Sequence, residues 1–233
     1  MILWLTIAER GNMMIYKMML MDWRAMKYYQ IRLALVPLFL FFIGLGSPLI
    51  ILPFGMYLAL GYSVNPFAIE EKGDLNLLYL TLPVNRDNVV AGRFCLSIIF
   101  GVIGLIISIP IALLSNVIGP SHYYLSLEQN LFILAISCFI FSISNLFIFP
   151  TLFKLGYQKG KLWGFYVPAI IISILCTGGM TLMSMTNINI ISIAYNFGTN
   201  NLMLLNWGIL LLSAIILFIS YSLSKAIYNK RDF

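Results

Sequence analysis

NPFAIEEKGDLNLLYLTLPVNRDNVVAGR, residues Asn65 to Arg93, is the longest polar interruption in an otherwise apolar chain and decides how the rest is read. Four of the eight acidic residues (Glu70, Glu71, Asp74, Asp87) and three basic ones (Lys72, Arg86, Arg93) fall inside it. Asn65 before Pro66 predicts a helix start, asparagine as N-cap and proline at the first helical position. Gly73 and Asp74 restart the pattern, and Leu75, Leu78 and Leu82 recur on one helical face until Pro83. Asn85 predicts the cap of the following helix, with Asp87 in its first turn. The stretch predicts one or two short helices lying between two membrane spans, with an apolar face that docks on something.

The surroundings establish that these are membrane spans. The chain has 233 residues, 61% hydrophobic and 9% charged, against about 25% charged in a soluble domain. That excludes a water-exposed globule and makes this an all-α polytopic membrane protein. Cys95, Cys138 and Cys176 lie in separate apolar runs without CxxC spacing, the pattern of small membrane-buried residues rather than disulfides or metal ligands.

Met1 to Ala8 is apolar, too short to span, and not preceded by a basic region, so a cleaved signal peptide is not expected. Gly11 and Asn12 predict a break. From Met13 to Tyr29, Ile15, Met19, Trp23 and Met26 share one helical face, and Lys17, Arg24 and Lys27 cluster on the other. This suits an interfacial helix within residues 1–28, flat in the headgroup region, or a charged lead-in to the first span. Tyr29 to Tyr62 is apolar but broken at Gly44, Gly46, Ser47 and Pro48. It reads as a hairpin rather than one tilted helix, because the basic flanks at both ends belong on one side of the membrane. Each arm has roughly 15–18 residues, at the short end of what crosses ~30 Å of hydrocarbon. Further spans are expected at Val89–Leu114, Leu131–Leu152, Leu162–Met183 and Leu202–Ile219. Asn116–Gln129, the basic Lys154–Lys161 and the uncharged Ser184–Asn201 are the expected loops.

All fourteen Lys and Arg then fall on one side: Arg10, Lys17, Arg24, Lys27 and Arg32 before or at the first span, Lys72, Arg86 and Arg93 in the organising stretch, Lys154, Lys159 and Lys161, and Lys225, Lys230 and Arg231 in the tail. Six spans with both termini in the cytosol account for all of them. The net charge of +6 is thereby explained without nucleic acid.

Motifs for chemistry fail on inspection. GYQKGKL (Gly156 to Leu162) has three residues between its glycines and leucine after the lysine, whereas a P-loop has four, then Ser or Thr, after a strand. Glu70-Glu71 resembles the paired glutamates of intramembrane CAAX-type proteases, but Leu75 stands where arginine belongs, and His122, the only histidine, lies in an outer loop. No catalytic residue and no metal site is expected. No ionisable residue is expected at the centre of a span, so transport work would be powered from outside the membrane. Asn145 is the interior polar residue most costly to expose to lipid, an interhelical hydrogen-bonding residue or a pathway-lining one.

Three stretches, LTLPVNRDNVVAGRF (Leu80 to Phe94), FPTLFKLGYQKGK (Phe149 to Lys161) and SYSLSKAIYNKRDF (Ser220 to Phe233), resemble permease subunits of type-2 ABC transporters, in the branch that includes phenol-soluble-modulin exporters. The leader before Met13 departs from that pattern. The resemblance implies one transmembrane domain over 1–233, with 65–88 as a cytosolic coupling loop carrying Glu70, Glu71, Asp74, Leu75, Leu78 and Arg86. It makes Met13–Tyr29, with Lys17, Trp23, Arg24 and Lys27, a connecting helix. It implies a separate ABC ATPase, two copies per transporter, that holds ATP and Mg while this chain binds no cofactor. It further implies a second permease, self or related, location in the plasma membrane, and export of an amphipathic or hydrophobic cargo. Peptide is the cargo in that branch; a lipid or lipophilic antibiotic suits an uncharged interior equally. The competing classes are a polytopic binding or assembly protein without a transport cycle and, further off, a secondary carrier or intramembrane enzyme.

Overall fold

The fold, a computed structural model that describes residues 2–26, 36–46, 50–72, 85–118, 127–167, 170 and 190–230, contains helices and no strand among those residues. In chain order the helices are α1 (Ile2–Ala25), α2 (Val36–Gly46), α3 (Ile51–Ser63), α4 (Asn65–Lys72), α5 (Arg86–Ile118), α6 (Leu127–Lys161, followed by a π-helical turn Leu162–Tyr166) and α7 (Ile190–Asn229). Three are long and apolar enough to cross a membrane: α5, α6 and α7.

α5 is the central post. α3 runs antiparallel to it: Ala59 meets Gly104 and Gly55 meets Ser108, and Glu70 of α4 continues the register to Arg93. α2 runs the other way, bringing Gly44 against Ser115 and Leu40 against Ile111. α3 and α4 together therefore follow α5 from Arg93 to Ser108, ~22 Å at 1.5 Å per residue, while α2 meets its far part around Ile111 and Ser115. Small residues permit this closeness. A Cβ on Gly104 would lie 2.9 Å from the Gly55 carbonyl oxygen, and such contacts, more than hydrophobic transfer, hold helices together in lipid.

α6 packs antiparallel to α5, with Phe141 at Gly101 and Asn145 at Ser97. It is not one rod. Gly156 adopts φ 78, ψ −175, and beyond it the chain doubles back: a Cβ on Gly160 would touch Leu152, and one on Gly164 would touch Ile148. In a straight helix residues 148 and 164 would stand ~24 Å apart. The expected loop 154–161 is thus a corner of a single residue, and helix resumes at once. α7 runs parallel to the outgoing arm of α6, pairing Ser220 with Asn145 and Tyr228 with Phe153.

Other boundaries also move. α1 continues through Gly11 and Asn12, where a break was expected, because helical hydrogen bonding tolerates both at a cost below about 1 kcal/mol each. α5 runs past Pro110 to Ile118. α7 absorbs both the asparagine-rich stretch from Ile190 and most of the expected tail. The outward faces of α5 and α7 carry Ile106, Leu113, Leu204, Leu211 and Phe218, each more than half exposed, as lipid-facing surfaces do. The apolar part of α7 is less buried inside the protein than that of α5, so α7 stands at the edge of the bundle.

Candidate functional site: a charged knot at one end of the bundle

α4, the start of α5, the Gly156 corner, the end of α7 and the middle of α1 converge at one end. At their centre lies Arg93, 1% exposed. The sequence reading placed it in the polar stretch, but it sits two turns inside α5, between Gly92 and Phe94. Its Nη2 donates to Glu70 Oε2 at 2.5 Å, and its Nε lies 3.8 Å from Asp22 Oδ2 on α1. The guanidinium plane rests over the Phe67 ring at 4.1 Å and beside the Phe153 ring at 5.7 Å. Both carboxylates are also buried. Desolvation of an ion costs several kcal/mol, and only close pairing offsets it; rings stacked on a desolvated guanidinium contribute about 2 kcal/mol more. A ring cluster encloses the knot: Phe94–Phe149 at 4.6 Å, Phe67–Phe153 at 4.9 Å and Phe153–Tyr228 at 5.2 Å. A cleft of about 190 Å³ opens beside it, lined by Glu70, Glu71, Arg93, Tyr157 and Tyr228 among others.

Glu70 and Glu71, both expected to offer charge to a partner, behave differently. Glu70 faces inward and is occupied by Arg93. Glu71 is exposed, and its Oε2 accepts the backbone N–H of Tyr157 at 2.7 Å and of Gln158 at 3.0 Å. These are the first amides after the Gly156 corner, where a helix start leaves donors without an internal acceptor. Neighbouring residues of α4 therefore hold two different spans.

Arg86 opens α5, where a cation opposes that helix's dipole. An acid of a partner or headgroup phosphates would compensate. The structure adds another acceptor: Arg86 Nη1 donates to the Asn229 carbonyl at 3.1 Å, at the negative end of α7. Asp87 joins the same seam through Lys225 at 3.0 Å and the Asn229 amide at 2.9 Å. These surface contacts set register more than stability.

Asn145 lies deeper, fully buried. Its Oδ1 accepts from Ser97 Oγ at 2.9 Å, its Nδ2 donates to the Phe141 carbonyl at 2.8 Å, and its own carbonyl accepts from Ser220 Oγ at 3.0 Å. It ties α5, α6 and α7 together. On α1, Lys17 and Arg24 face outward, but the opposite face rests on protein: Trp23 stacks on Phe100 at 5.2 Å, and Met18 and Met26 are buried. Met14 meets Asn88 at 3.6 Å, so α1 runs alongside the first half of α5. Lys27, Asp74, Leu75 and Leu78 lie outside the described residues, as does the side chain of Lys72.

Sequence reasoning missed Arg93 and Asp22. Met18, Asp22 and Met26 stand at i, i+4 and i+8, a stripe that places the aspartate on a buried face; Val89, Val90, Phe94 and Leu96 bracket Arg93 with core residues. No group of three His, Cys, Asp or Glu side chains able to hold a metal occurs among the described residues. The arrangement joins short α4 to two spans, through a paired guanidinium and a capped helix start.

A protein-family model described as ABC-2 family transporter protein matches residues 14–229. Searches of curated proteins and of solved structures give no match. The family match covers nearly the whole chain, including every contact of the charged knot, and this chain therefore belongs to the ABC-2 family of transporter proteins, as a membrane-embedded permease subunit.

Proposed function

We propose that this permease subunit forms half of an exporter for an amphipathic or apolar cargo, peptide among the candidates as in the phenol-soluble-modulin branch. A separate ATPase, two copies per transporter, binds ATP and Mg and docks at the end of the bundle where α4 lies; this chain binds no cofactor. A second permease, a copy or a relative, completes the pathway. α4 is the coupling helix, and the observation that carries this role is the double grip of Glu70 on α5 and Glu71 on α6. A body eight residues long that holds two spans can transmit a push from below to both. Asp74, Leu75 and Leu78 belong to the same docking segment, and the Met13–Tyr29 segment, with Lys17, Trp23, Arg24 and Lys27, is the connecting helix.

Six crossings with cytosolic termini in the plasma membrane are supported by the alternation of direction among α2, α3, α5, the two arms of α6 and α7, and by the basic residues gathered at one end. Cysteines at Ser121 should react with an impermeant reagent from outside and cysteines at Gln158 should not; the reverse pattern would invert the topology and remove α4 from the cytosol.

Cargo chemistry follows from the interior. Among the described residues of the membrane-length helices α5, α6 and α7, charged side chains stand toward the helix ends and not midway. Asn145, serines and apolar residues are what a passing molecule meets between them, so a strongly charged solute would find little to replace its hydration. The deciding experiment isolates the affinity-tagged chain with its ATPase in lipid nanodiscs and measures ATP hydrolysis. Amphipathic peptides or lipids should stimulate it and small hydrophilic ions should not. Absence of any ATPase in the preparation would favour an assembly protein without a transport cycle.

A further inference from the structure

The returning arm of α6 cannot cap its own start. Its N-cap position is Gly156, which has no side chain, and φ 78 with ψ −175 is a conformation essentially reserved for glycine. The Asp, Asn, Ser or Thr that would normally accept the first helical amides is excluded there. The missing acceptor arrives from α4, as Glu71, whose negative charge also suits the positive end of the returning helix. The same arm carries a second irregularity, the π-helical turn Leu162–Tyr166, a feature frequent at functional sites. One short segment thus concentrates the corner, the borrowed cap and the π turn.

The two grips of α4 differ in how readily they let go. Glu70 cannot leave Arg93 without abandoning a buried cation. Glu71 is exposed, and water can replace its bonds to Tyr157 and Gln158. Resting on the coupling role proposed above, we infer that Glu71 is a positioning residue that latches the returning arm of α6. Movement of α4 pivots on the fixed Glu70–Arg93 pair and opens the latch, freeing the start of the returning arm during the transport cycle.

Backbone hydrogen exchange of the full-length chain reads this directly. In Glu71→Ala the amides of Tyr157 and Gln158 should exchange about fivefold faster, the size of a lost helix cap, while those of Phe94 to Ser97 keep their rates. Glu71→Gln, which retains a carbonyl oxygen, should restore most of the protection. In the wild-type complex with its ATPase, trapping the ATP-bound state should raise exchange at the same two amides toward the Glu71→Ala level. Unchanged exchange in Glu71→Ala overturns the cap. Acceleration spread through α5 and α6 overturns it as well, since that marks general loosening. Export with no nucleotide-dependent change at these amides overturns the latch. Failure to recover an ATPase at all would instead sink the subunit reading and the latch with it, while the cap, tested on the chain alone, would stand.

Discussion

Glu70→Ala should cost this protein much of its folded population in the membrane. The substitution removes a modest side chain but leaves Arg93, 1% exposed, with its closest counter-charge gone. Breaking a buried pair from one side costs about 3–5 kcal/mol, or about 6–20 °C in apparent melting temperature for a chain of this size. Asp22, whose carboxylate lies 3.8 Å from Nε, remains as a second counter-charge and places the expected cost toward the lower end of that range. The check is the melting temperature of detergent-solubilised protein, together with its abundance in membranes. Replacing the whole knot by apolar residues (Asp22→Leu, Glu70→Leu and Arg93→Met together) should recover stability, because such isosteres avoid the desolvation cost. Export should stay lost if the knot transmits motion from α4. A Glu70→Ala protein as stable as wild type would show that Arg93 does not depend on this partner.

The second large effect is expected at the α6 hairpin. Gly164→Leu should splay its arms, since a Cβ there would lie 2.5 Å from Thr151 Oγ1 and 3.0 Å from Ile148 Cα. Gly160→Leu meets Leu152 Cα at 2.9 Å and the Thr151 carbonyl at 3.0 Å. Backbone atoms cannot rotate aside, so the arms must separate, at about 1–3 kcal/mol or more for each substitution. Gly61 and Gly208 supply the control: a Cβ at either meets nothing within 4 Å, and leucine there should leave the melting temperature close to wild type. Equal melting of Gly164→Leu and Gly208→Leu would mean that the hairpin contact contributes nothing.

These two sites also show what the sequence made legible. Hydropathy and charge placed the spans within α5, α6 and α7 and the start of α5 after Asn85, because membrane insertion is governed by stretches of composition. The glycines of GYQKGKLWG were harder. Their spacing invites a phosphate-loop reading, yet Gly156 makes a corner and Gly160 and Gly164 let two helices touch. That role depends on which backbone lies opposite, which local pattern does not carry. Arg93 is counted with the polar stretch although it also falls inside the expected span Val89–Leu114; its partners, Glu70 and Asp22, lie 23 and 71 residues away along the chain. Long-range pairing of this kind leaves only a weak trace, here the Met18–Asp22–Met26 stripe.

The adjacency of Glu70 and Glu71 has a consequence for tolerance to insertions. Adding one residue between Ser63 and Glu70 would rotate both carboxylates by about 100° around the helix axis, swinging Glu70 away from Arg93 and Glu71 away from the corner together. The α3–α4 junction at Val64, with only a single residue between the helices, offers no slack to absorb the error. Chain length upstream of Glu70 is therefore fixed to the residue, and an epitope or label meant to report on this surface belongs after Lys72, where added length is not converted into rotation of the two acids.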